Sequence, residues 1–392
     1  MKITKIDILH VKTDLKDGHW RPIVCRVYTD EGIYGDGEAA LAYGEAQSAA
    51  FGMVQNFAKL VIGMDPLDHE IIWDKLYRNT FWGQNGGAVV TAGISAIDMA
   101  LWDIKGKYFN VPVYKLLGGK RRDKLRCYAS QLQFGWDDDI SPHLSLEDYA
   151  RAAKKAVDEG YDAIKIDFFM YAPDGRKYGD LDRMGLLRKE TLDILEARMK
   201  ATRDAVGPNV DIIIENHSFT DALSSIQIGN ALKKYGIFYF EEPSTPTPQL
   251  TKFIKDETGL AIASGERIFT RWQYIDYFKD NSIQIVQPDI GTCGGITEVK
   301  KILDMAYTFD VGVQIHVCGT PLSTVAALHL GCTLPHFVIH EHHTYARTRH
   351  NIDLCIYDYQ PENGLFAIPD LPGLGNELSD IAFKNCDMVT IK

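Results

Sequence analysis

The sequence of 392 residues lacks the signals of several common protein classes. Its seven cysteines are odd in number and never spaced as Cys-x-x-Cys, so neither a disulfide framework nor a zinc ribbon is indicated. No apolar run reaches the roughly 18 residues that a membrane span needs, and the charged N-terminal segment is unlike a secretory signal. Lysine and arginine (42) are fewer than aspartate and glutamate (53), which disfavours a nucleic-acid surface. We expect a cytoplasmic protein with no membrane or nucleic-acid partner.

The overall amino-acid composition is typical of a globular protein. Hydrophobic residues make up 45% of the chain and charged residues 24%. The chain is too long for one average domain, but it fits a barrel of about 250 residues with a smaller second domain.

The first part of the chain, residues 1–123, predicts an α+β domain. Apolar and polar positions alternate over 2–11 and 22–29, which is typical of strands, and the glycines within 29–39 indicate turns. A helical apolar period follows. The predicted helices cover 43–62, 66–78 and 86–109.

From residue 124 the pattern changes to short β-rich segments that alternate with helix-like segments. The eight predicted strands are 124–130, 162–167, 210–216, 236–242, 260–265, 282–287, 311–316 and 336–341. This alternation predicts a parallel sheet, and eight strands favour a closed barrel over an open doubly wound sheet. We assign the barrel to residues 124–355 and interpret 171–185 as a loop at its substrate-bearing end.

Polar residues are concentrated where these predicted strands end. Barrel active sites are built at the carboxyl ends of the strands, so these side chains are the candidate site. They are Lys165 and Asp167 on the second strand, Glu215 and His217 on the third, Glu241 and Glu242 on the fourth, Glu266 on the fifth, Asp289 on the sixth, His316 on the seventh and Glu341 on the eighth.

Three of these acids predict a metal site. Glu215, Glu241 and Glu266 end successive strands at intervals of 26 and 25 residues. Converging carboxylates stay ionised together only if a cation neutralises them. Oxygen ligands suit a hard cation, which makes Mg²⁺ the predicted metal and Mn²⁺ the alternative. The competing interpretation is that each acid stabilises a helix N-terminus.

Two histidines, His217 and His316, end strands among these acids. Asp289 lies on the strand next to His316 and could orient its imidazole as a general base. A further cluster at positions 340, 342, 343 and 350 is interpreted as a surface loop flanking the last strand rather than as a transition-metal site.

Six segments of the chain form recognisable motifs: VYTDEGIYGDGEA (27–39), SAIDMALWDIKGKYFNVPVYKLLGG (95–119), YFEEP (239–243), SGER (264–267), VQPDIGTCGGITE (286–298) and IPDLPGLG (368–375). These motifs resemble those of the enolase superfamily, in its mandelate racemase branch. The resemblance implies a (β/α)7β barrel, capped by the N-terminal domain and by a tail at 356–392. It implies the ligands Glu215, Glu241 and Glu266 for a single metal. The family uses the first acid of its Glu-Glu-Pro motif, so Glu242 is left out, and it more often has Asp where Glu215 stands.

Within this branch the sequence is most similar to sugar-acid dehydratases, especially galactonate dehydratase and more loosely mannonate dehydratase. The resemblance implies that Mg²⁺ holds a sugar acid, that the proton α to its carboxylate is removed, and that the β-hydroxyl leaves to give a 2-keto-3-deoxy acid. His316 and His217 are then the base and the acid, and Lys165, Asp167 and Glu341 are further catalytic candidates. Family analogy also implies a homo-oligomer.

Other functions remain open. A racemase or epimerase of this branch often has Lys-x-Lys on the second strand, but here the motif is Lys165-Ile166-Asp167; Asp167 would have to replace the missing lysine. A cycloisomerase could use the same first step, and a non-catalytic barrel could simply bind sugar acids. We predict substrate contacts from His19, Trp20 and Trp82, in segments that precede the barrel.

Overall fold

The computed structural model describes residues 1–13, 20–136 and 140–392. Among these residues, no helix is both long enough and apolar enough to cross a membrane. The described residues form two sheets, one antiparallel with four strands and one whose eight parallel strands close into a ring. The predicted barrel with an α+β cap is therefore confirmed.

The antiparallel sheet belongs to the cap and has the order β13-β1-β2-β3. Its strands are β1 (Ile3–Val11), β2 (Ile23–Thr29), β3 (Tyr34–Ala39) and, from the other end of the chain, β13 (Cys386–Ile391). Ile6 pairs with Ile391, so the tail completes the cap sheet. The cap helices are α1 (Gln47–Val61), α2 (His69–Asn79), α3 (Ala88–Tyr108) and α4 (Val113–Leu116).

Helix α3 is buried on nearly every side because it lies between the cap sheet and the barrel. Two glycines of β3 make this packing close. A Cβ on Gly35 would lie 2.1 Å from the carbonyl oxygen of Ala100, and one on Gly37 would lie 2.0 Å from that of Ala96. Our interpretation of this Gly-Asp-Gly as a turn is wrong: the glycines stand inside a strand, where they admit a helix backbone.

The parallel strands follow the predicted order around the barrel. They are β4 (Lys124–Ser130), β5 (Ala163–Ile166), β6 (Asp211–Glu215), β7 (Ile237–Glu241), β8 (Ile262–Ser264), β9 (Ile285–Val286), β10 (Gly312–Val313) and β11 (His340–His343). The ring closes because β11 pairs with β4, and a bridge from Val313 to Phe337 links β10 to the chain before β11.

Helices lie between the successive strands of the barrel, and two further helices follow its last strand. Those between strands are α5 (Leu146–Asp158), α6 (Asp180–Arg183), α7 (Lys189–Val206), α8 (Ala222–Leu232), α9 (Pro248–Thr258), α10 (Thr270–Lys279), α11 (Gly295–Thr308) and α12 (Pro321–Gly331). After β11 come α13 (Arg349–Ile352) and α14 (Asp380–Lys384), and α14 contacts β1 and β13 of the cap. Residues at the N-terminus explain where three of these helices begin. Ser145 and Asp148 form a capping box at α5, and Pro248 and Pro321 occupy the first turn of α9 and α12.

Two segments refine the sequence interpretation. The predicted loop at 171–185 contains the short helix α6. The tail adds strand β12 (Leu365–Ala367), which pairs antiparallel with β4, before it returns to the cap as β13. The tail therefore contacts both sheets, while the exact boundaries at 123 and 355 stay a prediction.

Candidate active site and its carboxylate cluster

The inside of the barrel is filled by two layers of side chains. We call the lower one the apolar layer; it consists of Tyr128, Ala163, Ile213, Tyr239, Ala263, Ile285 and Ile339, all buried. Side chains two residues apart on a strand point the same way. Two residues further along six of these strands stand polar groups, which we call the mouth layer: Ser130, Lys165, Glu215, Glu241, Gln287 and Glu341. Because side chains on a strand alternate with a period of two, the polar mouth layer lies directly above the apolar layer.

The three predicted metal ligands converge at this mouth. Glu215, Glu241 and Glu266 each offer a carboxylate oxygen, and these oxygens lie within 4.8 Å of one another. Glu215 and Glu241 are direct neighbours on paired strands. Glu266 comes one residue after Gly265, where a Cβ would collide with the backbone of Gln287, so this glycine admits a close approach of β8 to β9.

The choice between the two acids of the Glu-Glu-Pro motif is supported by the geometry. Glu242 has φ of 44° and is not among the three acids whose oxygens converge. It accepts a hydrogen bond from Ser218 at 3.1 Å and pairs with Arg267, which also pairs with Glu266. Glu242 therefore holds the arginine that neighbours a cluster acid, without itself belonging to the cluster.

Lys165 lies completely buried among the acids of the mouth layer. Its ammonium contacts Glu241, lies 3.0 Å from Glu341 and lies 3.2 Å from Glu215. Burial opposes its charge, but the three carboxylates outweigh burial and raise the pKa of Lys165. The side chain thus acts as a built-in counter-charge at the base of the cluster.

One lysine does not neutralise this concentration of acids. Burial raises the pKa of Glu241, and the charges of Glu215 and Glu341 add to this effect against the opposing charge of Lys165. Three carboxylate donors and an excess of negative charge suit a hard divalent cation. The residues present therefore fit such a cation, and its identity as Mg²⁺ or Mn²⁺ stays a prediction.

The predicted dyad, which lies just beyond the ends of β9 and β10, is present as a contact. The Nδ1 atom of His316 lies 2.7 Å from Asp289, and its Nε2 atom lies 3.0 Å from Glu266. Asp289 also accepts a hydrogen bond from the backbone N–H of Gly291 at 2.7 Å. Burial lowers the basicity of His316, but Glu266 and Glu341 outweigh it and raise its pKa.

A second dyad, which the sequence did not lead us to predict, joins His217 to Asp167. The Nδ1 atom of His217 lies 2.8 Å from Asp167, and its Nε2 atom lies 3.4 Å from Glu215. Asp167 is held in turn by the backbone N–H of Phe169. Burial opposes protonation of His217, yet Glu215 and Asp167 prevail and raise the pKa to about 9. The two imidazoles thus approach the cluster from different strands, each oriented by its own aspartate.

Glu341 joins the mouth layer as a polar bridge. It accepts hydrogen bonds from Ser130 at 2.7 Å and from the backbone N–H of Val317 at 3.0 Å, and it lies 4.0 Å from His316. It thereby links β11 to the chain that follows His316.

The histidines around Glu341 correct our interpretation of a surface loop. Positions 340, 342 and 343 form strand β11 and are buried. His342 bonds Tyr161 at 2.6 Å, and burial lowers the pKa of His340 to about 4. Buried, neutral imidazoles of this kind pack the barrel wall.

The predicted substrate contacts differ in their positions. Trp20 is 1% exposed and stacks on Tyr345 at 5.1 Å, and Tyr345 stacks on His343 at 5.2 Å. This column connects the cap to the strand that carries Glu341. Trp82 is 89% exposed and packs edge-on against Phe81, so these contacts do not bring it to the cluster. His19 lies outside the described residues.

Sequence reasoning missed several amides and a hydroxyl of the site. Gln131 donates to Glu215 at 2.8 Å and lies 3.2 Å from the Nε2 atom of His217, while Gln287 donates to Glu241 at 2.7 Å. Ser130 and Gln131 end β4, the only predicted strand for which no polar end was considered. The rule used for the other strands would have found them.

Together these features define a capped barrel protein with a carboxylate cluster that could hold a cation and with two histidine–aspartate pairs. Residues 17–118 match the N-terminal domain of the mandelate racemase / muconate lactonizing enzyme family, and residues 148–382 match the enolase C-terminal domain-like family. The chain belongs to the enolase superfamily, in its mandelate racemase / muconate lactonizing enzyme branch, which confirms the resemblance seen in its motifs.

Relatives with assigned names are similar over nearly the whole chain. A D-xylonate dehydratase from Haloferax volcanii is 30% identical over 94% of this chain and 86% of its own length. A D-galactonate dehydratase from Pectobacterium atrosepticum is 30% identical over 97% of this chain and 93% of its own length. The crystal structure of an enolase superfamily member from Salmonella Typhimurium is 50% identical, with a TM-score of 0.96 and full coverage of both chains.

Proposed function

We propose that this protein is a hydro-lyase that dehydrates a sugar acid with the help of a divalent metal, Mg²⁺ or alternatively Mn²⁺. The observation that carries the proposal is the pair of imidazoles, one oriented by Asp289 and the other by Asp167. They approach the same carboxylate cluster from the segments that follow β10 and β6. Elimination of water needs a base at one carbon and an acid at the next, and two such imidazoles supply both. The relatives named xylonate and galactonate dehydratases support the same class of substrate.

His316 is the proposed base. Its Nδ1–H donates to Asp289, which leaves Nε2 as the nitrogen that faces the cluster. Nε2 takes the proton α to the substrate carboxylate, and the C–H electron pair moves towards the carboxylate to form an enediolate. A cation held by Glu215, Glu241 and Glu266 would supply the positive charge that such an enediolate needs.

His217 is the proposed acid. Hydroxide is a poor leaving group, so it departs readily only when it is protonated as the C–O bond breaks. The enediolate electron pair forms the carbon–carbon double bond, the β-hydroxyl takes the proton of His217, and water leaves. The resulting enol tautomerises to a 2-keto-3-deoxy acid. Lys165 and Glu341 orient the cluster in this scheme and do not move the proton.

The same geometry also serves an epimerase, because two imidazoles on different strands could exchange a proton on opposite faces of one carbon. This is the second candidate function, and it forms no keto product. The two functions therefore differ in a measurable product.

The test is a panel of aldonates and aldarates that includes D-galactonate and D-xylonate, incubated in D2O with MgCl2, with MnCl2 or with EDTA. Semicarbazide detects the 2-keto-3-deoxy product, and proton NMR follows exchange at the α-carbon. We expect a metal-dependent keto product from at least one acid. If α-proton exchange occurs but none of the acids gives the keto product, the proposed function changes from dehydratase to epimerase. The homo-oligomeric state and the cytoplasmic location stay predictions.

A further inference from the structure

The two dyads differ in how the barrel itself supports them. Asp167 and His217 lie one and two residues beyond the ends of β5 and β6, which are four and five residues long. Strands β9 and β10, by contrast, are two residues long and end at Val286 and Val313. Asp289 and His316 lie three residues beyond those ends, and their backbones are joined by an isolated bridge outside the strand ladder. Loops beyond a strand end are the more mobile part of a barrel, so this dyad needs support from elsewhere.

That support comes from the end of cap strand β3. Glu38 is fully buried and accepts from the backbone N–H of Thr320 at 2.9 Å, from its hydroxyl at 2.6 Å and from Ser323 at 2.7 Å. Thr320 is the N-cap residue of α12, four residues after His316. The carboxylate of Glu38 thus holds the connection that leads away from the histidine.

Two residues further along the same cap segment, a second contact holds the aspartate. The backbone N–H of Ala40 donates to the carbonyl of Gly291 at 2.9 Å. The N–H of Gly291 in turn donates to Asp289 at 2.7 Å. A Cβ on Gly291 would lie 2.4 Å from that of Ala40, so the contact leaves no room for a side chain.

Helix α3 of the cap strengthens the aspartate side. The hydroxyl of Ser95 accepts from the N–H groups of Gly294 and Gly295 at 2.9 Å, and Asp98 accepts from the N–H of Thr297 at 3.0 Å. These are the first residues of α11, which follows Asp289. Cap side chains therefore satisfy the free N–H groups at the start of both barrel helices that follow the dyad.

From these contacts we propose that Glu38 is a positioning residue for the reaction: it sets the placement of His316 against Asp289 by tying the cap to the start of α12. The extended backbone at the end of β3 fixes the distance between Glu38 and Ala40. Because Glu38 bonds the loop after His316 and Ala40 bonds the loop after Asp289, this distance also fixes the spacing of the two loops. Glu38 touches neither cluster acid nor imidazole in the described contacts, so it acts through the chain between Thr320 and His316. The inference rests on the proposed function only for the role of the dyad.

The chain offers a matched control. Asp103 is a second fully buried carboxylate of the cap, and it accepts from the N–H of Asp36 at 3.1 Å and of Leu374 at 2.8 Å. It also pairs with Lys107 of α3 at 2.8 Å, so its partners lie in the cap and the tail and not beside the dyad. Asp103→Asn therefore reports what the loss of a buried cap carboxylate does to stability alone.

The test compares Glu38→Gln with Asp103→Asn in the full-length protein. The first readout is the downfield proton NMR signal of the imidazole N–H that His316 donates to Asp289, recorded without metal and assigned by its loss in His316→Asn. We expect this signal to shift or vanish in Glu38→Gln and to stay unchanged in Asp103→Asn. This readout needs no substrate, so it remains informative if no sugar acid is turned over.

The second readout is α-proton exchange on a sugar acid that the wild type accepts. Misplacing a base by a fraction of an ångström to 1 Å costs up to about 100-fold in rate, so kcat of Glu38→Gln should fall between about 10- and 100-fold, with KM within about twofold. If Glu38→Gln does not fold, Ser323→Ala removes one bond to Glu38 and should give a smaller change in the same direction. An unchanged signal and an unchanged kcat in a folded Glu38 variant would make Glu38 a purely structural residue and overturn the proposal.

Discussion

The apolar layer and the mouth layer of the barrel are built on the same strands, two residues apart, yet they differ in almost every property. Ile213 and Tyr239 in the apolar layer contact other apolar side chains. Glu215 and Glu241, one step further, meet lysine, glutamine and histidine. The difference teaches that a strand can stabilise the fold with one residue and supply chemistry with the next residue on the same face. Substitutions in the two layers should therefore separate activity from stability.

The largest expected effect comes from Glu241→Gln in the mouth layer. Glu241 is a predicted metal ligand, and weaker binding of the cation removes the positive charge that would stabilise the enediolate. Loss of one such stabilising group typically costs about 10² to 10³ in rate, so turnover should fall by about 10³-fold or more. The metal-free variant should be at least as stable as the wild type, because burial and the charges of Glu215 and Glu341 together disfavour an ionised Glu241 more than Lys165 favours it. Thermal unfolding with and without Mg²⁺ checks this. Stabilisation by Mg²⁺ should be seen in the wild type and lost in the variant; full turnover in metal-limited buffer would show that the ligand assignment is wrong.

The next effect concerns the base. His316→Asn should lower exchange of the α-proton with solvent deuterium by about 10² to 10⁴. Asp289→Asn should lower it less, because the imidazole remains but is less well oriented. Proton NMR of a sugar acid in D2O measures both variants. Undiminished exchange in His316→Asn would move the role of base to Lys165 or Asp167.

The acid should show a smaller and more selective effect. We expect His217→Asn to retain most α-proton exchange while it loses about 10²-fold in formation of the 2-keto-3-deoxy product, because protonation of the leaving hydroxyl follows abstraction. The same NMR sample reports both quantities. If exchange and product fall by one common factor, His217 acts during abstraction and the epimerase becomes the better function; if neither falls, His217 is structural.

The smallest effect on chemistry should come from the apolar layer. Ile213→Ala should lower the free energy of unfolding by about 2 to 5 kcal/mol, since it leaves a cavity in a closed barrel, and Ile213→Val should lower it by about 0.5 to 1.5 kcal/mol. Urea unfolding measures this loss. Turnover per folded molecule should stay within about threefold of the wild type, as the cavity lies below the cluster. A loss of turnover as large as that of Glu241→Gln would erase the distinction between the layers.

Much of this site could be predicted from the sequence because strand ends are local features. Apolar segments that end in Glu215, Glu241 and Glu266 predict both the barrel and the cluster, and the structure brings the three together. The His316–Asp289 contact also follows from adjacent strands. Two predictions of local structure were wrong. Three histidines of β11 were assigned to a surface loop, and Gly35 and Gly37 of β3 were assigned to a turn.

The sequence by itself determined the alternation of strands and helices, the polar ends of the strands and the family, because each of these depends on residues close together in the chain. Only the tertiary structure decided that Asp167 orients His217, that Lys165 enters the acid cluster, and that Glu38 reaches the start of α12. These contacts join residues 50, 76 and 282 positions apart. They depend on how the barrel closes and how the cap packs against it, and the spacing of residues along the chain does not predict either of these.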